Sequence, residues 1–122
     1  MLVVDAANVV GSRPNGWWRD RGKAAANLCA DLTNALNAGR LEAPVVVVLE
    51  GAARAGVDEQ DGDSFRVVHA RGHGDDTIAD VVAHAVADGA TVTLVTADRE
   101  LRERAQQAGA EVVGPRWLLD QI

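Results

Sequence analysis

The sequence holds a single cysteine, Cys29, so it can form no internal disulfide and no cysteine-built zinc site. Any metal must be held by oxygen or imidazole. It has no apolar run near the roughly 18 residues that a membrane-spanning helix needs, which excludes an integral membrane function. Met1-Leu2-Val3-Val4-Asp5 has no basic lead and meets a charge at once, so no signal peptide is expected and the chain is expected in the cytoplasm. Net positive charge is also missing: 12 basic residues stand against 18 acidic ones, and the balance of −6 speaks at face value against a polyanionic partner. Tyrosine is absent, and eleven arginines accompany one lysine, Lys23. What is present is 122 residues, 48% hydrophobic and 25% charged, which reads as one globular domain spanning 1–122.

Met1 to Val4, ending in Asp5, and Pro44 to Leu49, ending in Glu50, are apolar on both faces and rich in β-branched residues, the pattern of buried parallel strands. Phe65 to His69, Val92 to Val95 and Ala110 to Val113 are shorter versions, which makes five strands. Between them Leu28, Leu32, Ala35 and Leu36, and then Ile78, Val81, Val82, Ala85 and Val86, recur at helical spacing, each a core-facing stripe. Gly39, Gly89 and Gly109 sit where left-handed caps are expected, the last ending a helix from about Asp98, and a short helix follows Pro115. The acidic stretch Asp58 to Asp63 reads as a solvated connection. This order predicts a three-layer α/β/α domain with a mainly parallel five-stranded sheet.

In such sheets ligands bind beyond the carboxyl ends of the strands, and in this sequence those ends carry acids. Asp5 and Glu50 end the first two strands, Asp98 follows the fourth, and Asp75-Asp76 opens the helix after the third. Each alone reads as a strand end or a helix cap. Together they repel, and keeping them at one rim calls for a cation. Oxygen ligands select Mg²⁺ or Mn²⁺, whose usual work is phosphoryl chemistry. Asp76 and Asp80, at i and i+4, share a helical face opposite Ile78 and Val82.

The motifs Asp5-Ala6-Ala7-Asn8, Gly74-Asp75-Asp76-Thr77-Ile78-Ala79 and Thr96-Ala97-Asp98-Arg99-Glu100-Leu101, in this order along the whole chain, resemble the NYN domain of the PIN-like nuclease superfamily. The resemblance implies a ribonuclease that uses Mg²⁺ or Mn²⁺. Asp5, Asp76 and Asp98 would be the core metal ligands, with Asp75 as the alternative to Asp76. Asn8 would orient the substrate or a metal-bound water. Glu50 stands where many relatives have Asp, and its longer side chain leaves a ligand role open; Asp80 would support the site or hold a second ion. A dehalogenase-type phosphatase would need a second Asp where Ala7 stands, and no P-loop follows any strand.

Between Gly11 and Lys23 lie Arg13, Arg19, Arg21 and Lys23 against Asp20 alone, a local charge of +3 that leaves −9 for the rest of the chain. Trp17 and Trp18 fall in this stretch, and arginine for phosphate with tryptophan for base stacking is the combination used on single-stranded nucleic acid. Thr96 and Arg99 join these as substrate-binding candidates. The same tryptophans would serve equally as a lid on the core, or as anchors of a homodimer that builds a substrate groove. His73, between two glycines, reads as a loop histidine or as a proton donor to the site. RNA is the expected partner, single-stranded or structured. The other readings are a non-cleaving RNA-binding module of the same fold, and a toxin-type nuclease with an antitoxin partner.

Overall fold

Val3, Val4 and the run Val45 to Leu49 offer apolar side chains to both faces, so the strands that carry them need helices on either side. The computed structural model, which describes all 122 residues, has this arrangement. The chain runs β1 (Leu2–Asp5), α1 (Ala6–Gly11), α2 (Arg21–Asn37), β2 (Val45–Leu49), β3 (Gln60–Asp61), β4 (Phe65–His69), α3 (Gly74–Ala87), β5 (Thr93–Val95), α4 (Arg99–Gln107), β6 (Glu111–Val113) and α5 (Pro115–Leu119). Short 3₁₀ turns cover Trp17–Arg19 and Gly51–Gly56.

The sheet has the order β3-β4-β2-β1-β5-β6, parallel throughout except for β3. One correction to the sequence reading follows. The sheet has six strands, because Gln60 and Asp61 inside the acidic stretch pair antiparallel with Val67 and Arg66. Both residues of β3 are exposed, so no apolar alternation marked them; the Arg66–Asp61 ion pair at 3.0 Å ties this edge. The residues after Asp5 form a helix directly, with Asp5 as its N-cap. Gly39 and Gly89 close α2 and α3 at φ +75° and +91°, as their positions predict.

Alternation along the central strands divides the core in two. Val4, Val47 and Leu49 face α1, α2 and α5, where Val9, Leu28, Leu32 and Leu118 are fully buried. Val3, Val46 and Val48 face α3 and α4 through Ile78, Val82 and Leu101. The chain leaves β1 along one face of the sheet towards β2 and leaves β5 towards β6 along the other. The crevice between the carboxyl ends of β1 and β5 is thus the topological switch point, where such sheets hold their ligands.

Glycine sets how closely the basic segment meets the sheet. Gly22 in the first turn of α2 lies directly against Gly56, and a Cβ on Gly56 would land on the Gly22 carbonyl. This contact holds the start of α2 on the Gly51–Gly56 turn that follows β2. No helix is long and apolar enough to cross a membrane.

Candidate active site

Asp5 leaves β1 into the switch-point crevice with 6% of its surface exposed, and Thr96, which follows β5, is fully buried beside it. The Thr96 hydroxyl donates to Asp5 Oδ2 at 2.9 Å, and the Asn8 amide stands 3.4 Å from Asp5 Oδ1. Burial pushes the Asp5 carboxyl up to about 6, outweighing these two hydrogen bonds, and the negative charges of Asp75 and Glu50 push the same way. The charged neighbours that act on Asp5 are therefore both acids.

Asp98 and Glu50 are held at the rim by accepting from helix-start amides. Asp98 Oδ1 accepts from the Leu101 amide at 2.8 Å and so starts α4, while the Asp98 amide donates to Thr96 Oγ1 at 3.1 Å. Glu50 does not merely end β2: its Oε2 accepts from the Gly74 amide at 2.6 Å, across to the start of α3. Glycine eases that approach, since a Cβ at position 74 would stand 3.2 Å from Glu50 Oε2 and the carboxylate would have to shift by a few tenths of an ångström. Asp75 is raised by burial, then by the charges of Asp98 and Glu50, with Glu100 adding to them and Arg104 opposing. Asp5, Glu50, Asp75 and Asp98 thus form one electrostatically linked group.

Several candidates lie elsewhere. Asp76 is an outward residue whose Oδ1 takes the Arg104 guanidinium at 3.1 Å. One residue in a helix is a 100° turn, and the turn that buries Ile78 and Val82 directs Asp75, not Asp76, to the rim. Asp80 lines a separate hollow with Met1, Arg66 and His84, remote from this group. Arg13 is bound at 2.9 Å to Asp31 of α2 and fastens the basic segment. Thr96 is too deeply buried to meet a substrate and acts on Asp5 instead. Asn8 spends its Oδ1 on the Ala97 amide at 2.9 Å, which joins α1 to the loop after β5. No three His, Cys, Asp or Glu side chains are grouped closely enough to hold a metal ion together.

The basic segment places Trp18 outward, 58% exposed, with the Arg19 guanidinium 5.9 Å from its ring centroid. Trp17 meets Trp18 edge to face and packs partly on the core. The lid reading thus holds for Trp17, which also lines a hollow with Arg21, Glu50 and His73. Arg99 is exposed at the start of α4. Sequence reasoning missed Gly74, Glu100 and Arg104; a glycine directly before Asp75 at a helix start was the readable signal for the first.

The fold is similar to that of the crystal structure of Rae1 (YacP) from Bacillus subtilis, with a TM-score of 0.68, 18% identity, and coverage of 99% of this chain and 72% of that one. A point mutant of the same protein gives a TM-score of 0.72 at 17% identity, covering 98% and 72%. No family model matches the chain, and no curated protein matches it in sequence.

Proposed function

We propose that this protein is a divalent-metal-dependent ribonuclease of the NYN type that hydrolyses RNA phosphodiester bonds at the switch point between β1 and β5. The observation that carries this reading is Asp5: a buried carboxylate whose acting charged neighbours, Asp75 and Glu50, are both negative, at the place where this class of sheet holds ligands. A purely structural aspartate would be expected to face an arginine or lysine there.

The donors fit a hard cation that keeps most of its waters, because Mg²⁺ is commonly held by one or two carboxylates rather than by a closed protein cage. Asp5 together with Asp75 or Asp98 would hold it directly, and the other rim acids, Glu50 included, would add negative charge around it. When bound, such an ion supplies an activated water and offsets charge on the phosphate. The chain's own residues do the positioning. Thr96 and the Asn8 amide fix the Asp5 carboxylate, Gly74 fixes Glu50, and the Asn8 side-chain NH₂ is left as a donor at the rim. Trp18, Arg19 and Arg99 are exposed for base and phosphate contacts.

The test is cleavage of single-stranded and structured RNA with Mn²⁺, with EDTA, and by Asp5→Asn and Asp98→Asn. Loss of cleavage in EDTA and in either variant is expected; metal-independent cleavage, or full activity in both variants, overturns the reading. A non-cleaving RNA-binding module of the same fold is the second reading, favoured by Asp76 standing outward in an ion pair with Arg104, which leaves the rim one acid short of the set that the resemblance implies. Calorimetric titration with Mn²⁺ separates the two, since a module that only binds RNA has no need of the ion.

A further inference from the structure

A hollow of about 530 Å³ opens beside the acidic rim, and its lining differs in kind from the rim itself. Ala6 and Val10 of α1, Ala25 of α2 and Ala53 of the turn after β2 give it an apolar floor. Trp17 and Arg21 supply two planar groups, with the guanidinium 5.3 Å from the ring centroid. The other ionisable side chains lining it are Glu50 and His73. Its size is that of a small-molecule site, and an apolar floor with planar walls disfavours a phosphate and suits a flat aromatic ring.

We infer that this hollow is a nucleobase subsite, which receives the base of a nucleotide flanking the phosphate held at Asp5. Two connections link hollow and rim. Ala6 and Ala7 line the hollow and follow Asp5 directly in the chain, and Glu50 belongs to both places. A ligand filling the hollow therefore lies one short covalent reach from Asp5, which is the relation of a base to its own backbone. Glu50 also constrains the base. Its Oε2 is taken by the Gly74 amide, so Oε1 is left as an acceptor that asks for an N–H on the ring edge, while Arg21 can only donate. The +3 charge of the Gly11–Lys23 segment draws the backbone towards the mouth. The inference rests on the proposed nuclease reading for what occupies Asp5, whereas the affinity of the hollow for a base does not need cleavage.

The experiment uses the whole chain and end-labelled single-stranded RNA hexamers, intact or with one abasic ribose at each position in turn. Binding is measured by anisotropy in EDTA and cleavage is mapped with Mn²⁺. One abasic position, next to the cleaved bond, should weaken binding about tenfold. Ala53→Phe, which fills the floor, should weaken the intact hexamer equally and leave the abasic one at that position unchanged. Ala7→Phe, at an exposed position of α1 that also lines the hollow, gives the same readout should Ala53→Phe fail to fold. Equal binding of every abasic hexamer, an equal loss at every position, or variants that bind as the parent does would overturn the subsite even with the RNA cleaved. A position-specific loss removed by Ala53→Phe, with no cleavage under any metal, would support the subsite and remove the nuclease reading instead.

Discussion

The Thr96 hydroxyl donates to Asp5 Oδ2 at 2.9 Å while its oxygen accepts from the Asp98 amide, so one buried side chain links the end of β1 to the start of α4. Charge at Asp5 is thereby held in place by hydrogen bonds that do not remove the cost of burying it. The site is organised around an ionised group that the fold alone does not favour, and a bound cation would change that balance.

Asp5→Asn should therefore separate stability from activity. Burial and neighbouring acids raise the carboxyl to about 6 from 3.8, so its ionised form costs the folded state up to about 3 kcal/mol at pH 7. Replacing it with a neutral isostere, which keeps the bond from Thr96 and gives up the longer one from the Asn8 amide, should raise the melting temperature by several degrees while RNA cleavage is lost. Thermal melts of the two proteins in EDTA check the first half, and a lower melting temperature for Asp5→Asn would refute it.

The pH dependence follows with a definite sign. A carboxyl whose folded pKa lies above its unfolded value binds more protons in the folded state, so its contribution is most favourable below about pH 4 and is lost as the pH rises through about 6. The stability gap between Asp5→Asn and the parent should be near zero at the acid end of that window and should open by pH 7. Urea midpoints at a series of pH values measure it; a constant gap would show that Asp5 does not titrate in this window.

Arg104→Gln should tighten divalent-cation binding. The guanidinium opposes the raised carboxyl of Asp75 and pairs with Asp76 at the surface, so its loss leaves the rim more negative. Exposed pairs contribute roughly 0 to 1 kcal/mol, so stability should change little while the Mn²⁺ dissociation constant falls by a few-fold. Calorimetry at low salt reads both directions, and weaker Mn²⁺ binding would contradict it.

Gly56→Ala should destabilise the domain by about 2 kcal/mol or more, because the new methyl lands on the Gly22 backbone and not on a movable side chain. Gly114→Ala, where a Cβ meets nothing within 4 Å, serves as the control and should stay within about 0.5 kcal/mol. Equal melting temperatures for the two would mean that α2 moves freely against the turn after β2.

The five apolar strands and the helices with two-turn stripes were legible because one-dimensional spacing alone decides which face is buried. β3 was not, since two exposed polar residues pair only because β4 is already in place. The acids at the rim were legible as a set, whereas their identity depended on rotation. Asp75 lies at i−3 from Ile78 and i−7 from Val82, on the core-facing side, and the same spacing puts Asp76 with Asp80 on the outer side. That choice was readable from the sequence, although the cap that Glu50 provides to Gly74 was not, because it joins segments 24 positions apart. The roles of the two tryptophans diverged for a similar reason: only packing against α1 and α2 distinguishes Trp17 from its exposed neighbour.

The stretch carrying Trp17 and Trp18 is fastened before it by the Arg13–Asp31 ion pair and after it by the contact of Gly22 with Gly56. Fixing a free backbone costs about 1 to 2 kcal/mol per residue, and a loop closed at both ends has already lost much of that freedom when the domain folds. A strand lying across the rim then meets aromatic surfaces that need little further ordering, so its affinity would reflect the contacts themselves and its arrival would require no slow rearrangement of the loop.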